Sequence, residues 1–559
     1  MSETEAQTTK KRTKKDDYIV QGSILAAAAV LTKIIGVVYR IPLTNILGDE
    51  GNGFYGYAYQ VYAIALMISS FSLPTAVSKL VSIRLAKRQR RNAFRVFICS
   101  LAFAIGVGLF ISLTIFLGAG LISTHLMKSP LSVYALRVLA PGLLIVAVMA
   151  VIRGYFQGMG NMIPTAISQV FEQIVNAVVS VIAAYELTVY GVSISKMSKL
   201  GESAGPAYGA AGGTLGTLTG AIAALIVVVI VFWNSYGNIK KPVRKDKTKV
   251  EDSYATITKV IIFTITPVLI SSTIYNISNL LDNPIYGNIV TGIFDVSSKT
   301  RAELWGVYSA KYRVLTTMPI AIASSLSTAI VPAMVRSYIA KDKQGMENKV
   351  SLALKFSMLI AFPCGMGLSV LGGPINQLLF GDGSKRTATI MIFSLLTVVV
   401  FSLSTISNAI LQGIDKLNIP IKNSAISLVL HLIILPVLLI VFRLDIYAVV
   451  IGDITFGLTV SILNAFSIKK HMGYSHDLRE TFLRPFICSA AMGIICYLAY
   501  WLTSKIIPIN ALCTLFAIMV AVIVYVAVLI ISGTVTENEL MSVPKGTMLI
   551  RLLKKVHLL

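Results

Sequence analysis

Apolar runs of about 20 residues, the length that crosses a bilayer's hydrocarbon core, recur from Ile19 to Ser532, divided by short clusters of lysine and arginine. In lipid every backbone amide needs a partner within the protein, so only helices or closed barrels can span. Runs of this length select helices. About fourteen can be read in the sequence, and the expected fold class is all-α, a polytopic membrane protein. Composition agrees, with 55% hydrophobic and 13% charged residues and mean hydropathy +0.77; soluble domains carry about 25% charged residues. On a soluble chain the net charge of +24 would suggest nucleic acid. Here the basic residues lie between spans, so membrane lipids and not nucleic acid are the expected surroundings.

Alternate loops separate by charge. One set holds Lys10 to Lys15, Arg84, Lys87 to Arg91, Lys240 to Lys249, Lys341, Lys343, Lys469, Lys470 and Arg551 to Lys555. The other is sparse or acidic, with Asp49, Glu50, Glu202, Asp295, Asp382 and Asp445. The positive-inside rule then predicts an even span count and both termini in the cytoplasm. The expected organisation is a disordered basic tail at 1–18, an N-lobe of six spans at 19–237, a basic linker at 238–253 and a C-lobe of six spans at 254–468. Two further spans at 469–533 and a tail with an amphipathic helix at 534–559 complete it. The five cysteines lie inside apolar runs without C-x-x-C spacing, as packed thiols do; no metal site is expected with confidence.

The two lobes repeat. Arg153-Gly154-Tyr155-Phe156-Gln157-Gly158 with Pro164 matches Ala409-Ile410-Leu411-Gln412-Gly413 with Pro420. Leu73-Pro74-Thr75-Ala76-Val77 matches Leu326-Ser327-Thr328-Ala329-Ile330, and Tyr208 and Gly213 match Tyr447 and Gly452. Their common order is the signal. Six spans per lobe give both the same orientation, hence parallel repeats, an arrangement found in transporters.

Three segments carry a family resemblance: Lys33-Ile34-Ile35-Gly36, Ile46-Leu47-Gly48-Asp49-Glu50-Gly51, and Leu73-Pro74-Thr75-Ala76-Val77-Ser78-Lys79-Leu80-Val81. They resemble the MOP flippase superfamily, in its SpoVB/YtgP-type polysaccharide transporter branch related to MurJ-like lipid II flippases. The tail Val543-Pro544-Lys545-Gly546 resembles that branch too. The resemblance implies two lobes around a cavity that opens alternately to each side of a bacterial plasma membrane. It implies a flippase, not an enzyme, for an undecaprenyl-diphosphate-linked sugar, with lipid II for peptidoglycan foremost and other lipid-linked oligosaccharides open. The two extra spans would form a groove for the lipid tail.

A diphosphate crossing a low-dielectric layer needs cationic partners, and Arg and Lys suit phosphate oxygens. Lys33 lies mid-span, and Arg40, seven residues on, shares its helical face. Lys311 and Arg313 enter span eight but cannot share a face, so one of them is expected to point inward. Lys79 and Arg153 complete the substrate-binding candidates. Each has a plainer reading as a snorkelling or ion-paired side chain. Some MurJ-like proteins bind a cation among spans seven, eleven and twelve. This region offers Asn276, Asn279, Asp282, Asn423 and Asp453, and the first lobe adds Glu172. Oxygen ligands suit hard cations, so these residues are candidates for Na+ or H+ coupling; interhelical hydrogen bonding is the plainer reading. His431 reads first as a packed, hydrogen-bonded histidine. No cofactor is expected, and membrane potential is the expected drive.

No G-x-x-x-x-G-K-[ST] or H-E-x-x-H pattern occurs, so ATP and zinc hydrolysis have no support. A MATE-like drug exporter and a membrane glycosyltransferase or polymerase are the alternatives; the first would want acidic binding residues, the second larger carboxylate-bearing loops. The chain is expected to act as a monomer. The topology is checked with single cysteines at Thr8 and Lys555 in a chain stripped of native thiols. Both should resist an impermeant maleimide in intact cells, and labelling of either from outside refutes cytoplasmic termini.

Overall fold

The structure, a computed structural model, describes residues 3–71, 73–197, 200–246, 252–414, 416, 418–475 and 477–535. Side chains at 3–23, 267–280, 324–330 and a few isolated helical positions are outside that description. The side chains of Asn276 and Asn279 therefore lie outside that description, and the amphipathic helix expected near the C-terminus lies outside the described residues.

The fold is helical throughout the described spans, as expected. The helices are α1 (Glu3–Leu66), α2 (Leu73–Ala86), α3 (Arg90–Leu121), α4 (Val133–Gly158), α5 (Ile163–Ile194), α6 (Ala204–Arg244), α7 (Tyr254–Gly292) and α8 (Ser298–Gly306). They continue with α9 (Arg313–Ile339), α10 (Lys343–Phe380), α11 (Lys385–Met391), α12 (Ser394–Gly413), α13 (Asn418–Ile440), α14 (Ile446–Met472), α15 (Arg484–Ile506) and α16 (Asn510–Ile531). Among the described residues, 11 runs are long and apolar enough to cross a membrane, with Leu31–Ala86 counted as one. That run holds two of the spans read from sequence, because Gly48, at φ 62°, breaks α1; glycine takes this left-handed conformation without steric cost. The spans expected at 255–281 and 304–335 fall on α7 and on the α8–α9 run, described only in part. Helix α1 begins at Glu3, within the stretch 1–18. Its Glu, Gln, Ala and Lys residues are good helix formers.

Two compact units result: Met1–Asn276 with Val290–Gly306, and Ile277–Ile289 with Val307–Leu559. In the first, α5 and α6 meet along a seam of small residues. A Cβ added at Gly212 would lie 2.2 Å from the Ala183 carbonyl oxygen, one at Gly216 2.1 Å from Ser180 Oγ, and one at Gly220 2.6 Å from the Glu172 carbonyl oxygen. Lipid supplies no hydrophobic drive between helices, so such close backbone packing holds them together. The Gly154-x-x-x-Gly158 pair works the same way against α2, where added Cβ atoms would meet the Pro74 carbonyl oxygen at 2.8 Å and Val81 Cβ at 2.8 Å. Around that contact Val77, Val96, Phe97, Val151, Phe156 and Ile261 form a buried core. Asp246 Oδ2 accepts from the Arg91 amide at 2.7 Å, neutralising the positive end of α3. Asp252 pairs with Arg84 at 2.7 Å. The basic linker is thus anchored at both flanks.

In the second unit, Gly413 on α12 faces Val331 and Val335 on α9, each 3.0 Å from an added Cβ. This is the counterpart of Gly158 against Val81, so the Gln-Gly repeat marks equivalent packing in both units. The last two spans dock on α10: Leu371 packs with Met492, Cys496 and Ala517, and the Tyr525 hydroxyl donates to the Leu359 carbonyl at 2.7 Å.

The glycine seam makes a testable statement. Gly216→Leu should cost about 1–3 kcal/mol or more through overpacking and lower the thermal midpoint in detergent. Gly106→Leu, where nothing lies within 4 Å of the new Cβ, should leave it unchanged; equal midpoints for the two variants would refute the seam.

Candidate functional site

In the first unit the break at Gly48 decides the local chemistry. Fifteen positions along a straight helix would separate Arg40 from Tyr55 by about 22 Å. Instead the Arg40 guanidinium lies 4.4 Å from the centre of the Tyr55 ring. Tyr55 stacks on Tyr59 at 5.8 Å, and Tyr59 lies 5.9 Å from Tyr62. Tyr39 accepts a hydrogen bond from Asn176 at 3.4 Å. The tyrosine faces hold the cation without cancelling its charge. Arg40 Nη1 is buried with no hydrogen-bond partner among the described residues. Lys33 is exposed two turns away on the same helix, and Lys79 is exposed on α2.

The other basic candidate in this unit is already matched. Arg153 pairs with Glu172 at 2.9 Å, and its Nε donates to Ser168 at 2.9 Å. A further arginine escaped the sequence reading. Arg301, in the stretch expected to be a loop, is fully buried. Its Nη1 donates to the Met127 carbonyl at 2.9 Å and its Nη2 to that of Lys128. It also lies 5.2 Å from the Tyr57 ring centre. Nothing in its local sequence signals burial, because both acceptors come from a distant turn.

In the second unit Lys311 and Arg313 part ways. Lys311 is buried and pairs with Asp382 at 2.7 Å, and Thr387 donates to the same carboxylate. Arg313 lies with its guanidinium 5.8 Å from the centre of the Tyr308 ring. The Tyr308 hydroxyl donates to Asp453. Asp282 is fully buried on α7, and its Oδ1 lies 2.6 Å from His431 Nε2 on α13. The other ring nitrogen, Nδ1, lies 3.0 Å from the Gly452 carbonyl on α14. Asp282, His431, Asp453, Tyr308 and Arg313 thus form one buried polar cluster. Asn423 belongs elsewhere: its amide donates to Asn464 at 2.8 Å and to Ser467 at 3.2 Å. Among the described residues no three His, Cys, Asp or Glu side chains are placed to hold a metal ion. The histidine's partners were missed in the sequence because 149 residues separate it from Asp282.

The description "polysaccharide biosynthesis protein" fits a family that matches residues 20–338, more than half of the sequence. The chain belongs to that family. A second family of the same description matches residues 291–387. Among relatives, the lipid II flippase MurJ of Bacillus subtilis is 25% identical across 86% of this chain and 87% of its own. Stage V sporulation protein B of the same organism is 24% identical across 86% and 88%. In fold, this polysaccharide biosynthesis family member is similar to an inward-facing MATE family multidrug resistance transporter of the MOP superfamily. That match has a TM-score of 0.61 over 82% of this chain and 98% of that one. It is also similar to MurJ in an inward closed conformation, at 0.59 over 90% and 97%; both are 16% identical. It is therefore a multi-pass membrane protein with the helical fold of these solved structures.

The Lys311–Asp382 pair generates a prediction. Burial pushes the Asp382 carboxyl up, but hydrogen bonds from Lys311, Thr387 and Ser384 outweigh it and bring it down to about 2. A lowered carboxyl stabilises the fold above its unfolded value near 4, and that contribution disappears as pH falls through about 2. Asp382→Asn should remove it at all pH values and take the carboxylate from the buried Lys311, at a cost of about 3–5 kcal/mol. Thermal unfolding at pH 7 checks this, and a wild-type midpoint in the variant would refute it.

Proposed function

We propose that this family member is an alternating-access flippase that carries an undecaprenyl-diphosphate-linked sugar precursor from the inner to the outer leaflet of a bacterial plasma membrane, lipid II being the substrate assigned. The observation that carries the reading is Arg40. A guanidinium within an apolar span is costly unless matched, and among the described residues this one has a buried Nη1 without a hydrogen-bond partner and a tyrosine ring beside it. A diphosphate would supply the missing acceptors through the bidentate geometry that arginine favours. Lys33, about 10 Å along the same helix, gives a second cation at the spacing of an extended headgroup.

Arg153 and Lys311 are neutralised by Glu172 and Asp382, which suits a structural role. The substrate set thus narrows to Lys33 and Arg40, with Lys79 as an exposed approach point. The similarity to MurJ supports lipid II, and α15 and α16 would guide the polyprenyl tail. Membrane potential supplies the drive: each negative charge moved outward gains about 2.3 kcal/mol per 100 mV, so a headgroup with two net charges gains about 4–5 kcal/mol. A cation-exporting reading of the same fold predicts the opposite dependence on Arg40, since removing a positive charge would favour a cationic substrate.

The test uses proteoliposomes loaded with lipid II. Lys33→Ala and Arg40→Ala should each lower the flipping rate at least tenfold, with normal expression and an unchanged thermal midpoint, and Arg40→Lys should recover part of the loss. An imposed potassium diffusion potential should speed flipping in one polarity and slow it in the other. Wild-type rates in both alanine variants would remove the headgroup assignment, and indifference to polarity would remove the electrical drive.

A further inference from the structure

We infer that Asp282 and His431 hold one shared proton in the second unit, and that this proton, not a metal cation, is the ion bound there. The proton assignment stands apart from the flippase reading; its use in a transport cycle rests on it. Hydrogen-bond accounting carries the argument. A carbonyl only accepts, so the 3.0 Å contact with Gly452 requires a hydrogen on His431 Nδ1. With that hydrogen in place, a neutral ring would present a lone pair at Nε2 to Asp282 Oδ1. At 2.6 Å two lone pairs repel, so a second hydrogen lies between them. The pair is either imidazolium with carboxylate or neutral imidazole with carboxylic acid. Both states contain one proton more than a neutral histidine beside an ionised aspartate.

The surroundings make that proton difficult to lose in place. Asp282 Oδ2 is buried without a partner among the described residues. Removing the proton would leave a bare carboxylate there, at a cost of several kcal/mol. The charged and titratable groups around the pair are Asp453 on α14, which accepts from Tyr308, and Arg313 on α9. The Phe456 ring, 6.1 Å from the imidazole, closes another side. Arg313 and Asp453 cancel in formal charge. The cluster is then neutral with the shared proton and carries one negative charge without it. Release therefore requires α7 to part from α13 or water to enter, which links proton binding to conformation.

The same geometry disfavours a hard cation, which seeks about six oxygen ligands. Asp282 Oδ1 and the Gly452 carbonyl are both engaged by the ring. Gly452 also makes room for it, since an added Cβ would lie 3.0 Å from His431 Cε1.

The experiment is solid-state nitrogen NMR on the full-length protein in lipid, labelled at its five histidines, with His431→Gln providing the assignment. At neutral pH His431 should show hydrogen on Nδ1 and a strong hydrogen bond at Nε2, unchanged when Na+ replaces K+. Asp282→Asn should turn it into an ordinary neutral ring. In proteoliposomes that variant should lose the response of transport to an imposed pH gradient. If Asp282→Asn fails to fold, His431→Gln, which keeps a donor toward Asp282, should lose the same response. A bare Nδ1, an Nε2 signal that follows Na+ instead of pH, or a wild-type pH-gradient response in either folded variant overturns the inference. The NMR signature in a protein that flips no lipid would support the proton site and refute the flippase reading alone.

Discussion

A charge placed inside a membrane span must be matched, or it must be kept for something that will match it. That constraint orders most of the polar chemistry in this protein. Arg153 has Glu172, Lys311 has Asp382, and Arg301 has two backbone carbonyls. These groups lend rigidity and position, since breaking any one of them strands a buried charge. Arg40 differs in kind. No hydrogen bond or ion pair is seen at its guanidinium among the described residues: the Tyr55 ring lies against it and its buried Nη1 has no hydrogen-bond partner there. Under the proposed function a visiting anion would supply the missing acceptor.

The two units meet the second demand of lipid, tight packing without a hydrophobic drive, in related but unequal ways. Gly158 against α2 and Gly413 against α9 are equivalent contacts. The α5–α6 pair closes along glycines. Its sequence counterpart, α13–α14, instead admits an imidazole at Gly452. Where the first unit has Thr214, bonded locally to the Ala211 carbonyl at 2.7 Å, the second has Asp453. The repeat thus kept its packing and diverged in chemistry: one unit carries the unmatched cation and the other the buried acid–histidine cluster.

The sequence exposed what depends on local order. Apolar run length revealed the spans, Gly154-x-x-x-Gly158 a close helix contact, and the Gln-Gly pairs the repeat. It did not expose what depends on distant partners. The spacing of Lys311 and Arg313 shows that they point apart, but Asp382, 71 residues on, decides which is pinned. Arg301 looked like a loop residue until its carbonyl partners on another turn were placed. Asp282 and His431 were each visible as polar residues in apolar runs, but their contact depends on how α7 meets α13.

Charge accounting also connects the two halves of the chemistry. Under the proposed function, carrying an anion outward would gain electrical energy; if Arg40 and Lys33 moved with it, the loaded step would give up part of that gain and the empty return, moving them inward with the field, would recover it. A proton held by Asp282 and His431 can correct that balance, because the cluster changes by one charge when it is gained or lost. If the proton is released only when α7 separates from α13, the charge moved in the empty return need not equal the charge moved with substrate. Each charge of difference is worth about 2.3 kcal/mol per 100 mV, comparable to a charge-assisted hydrogen bond. One proton would therefore change by one charge how strongly the field acts on the unloaded reset of the proposed carrier.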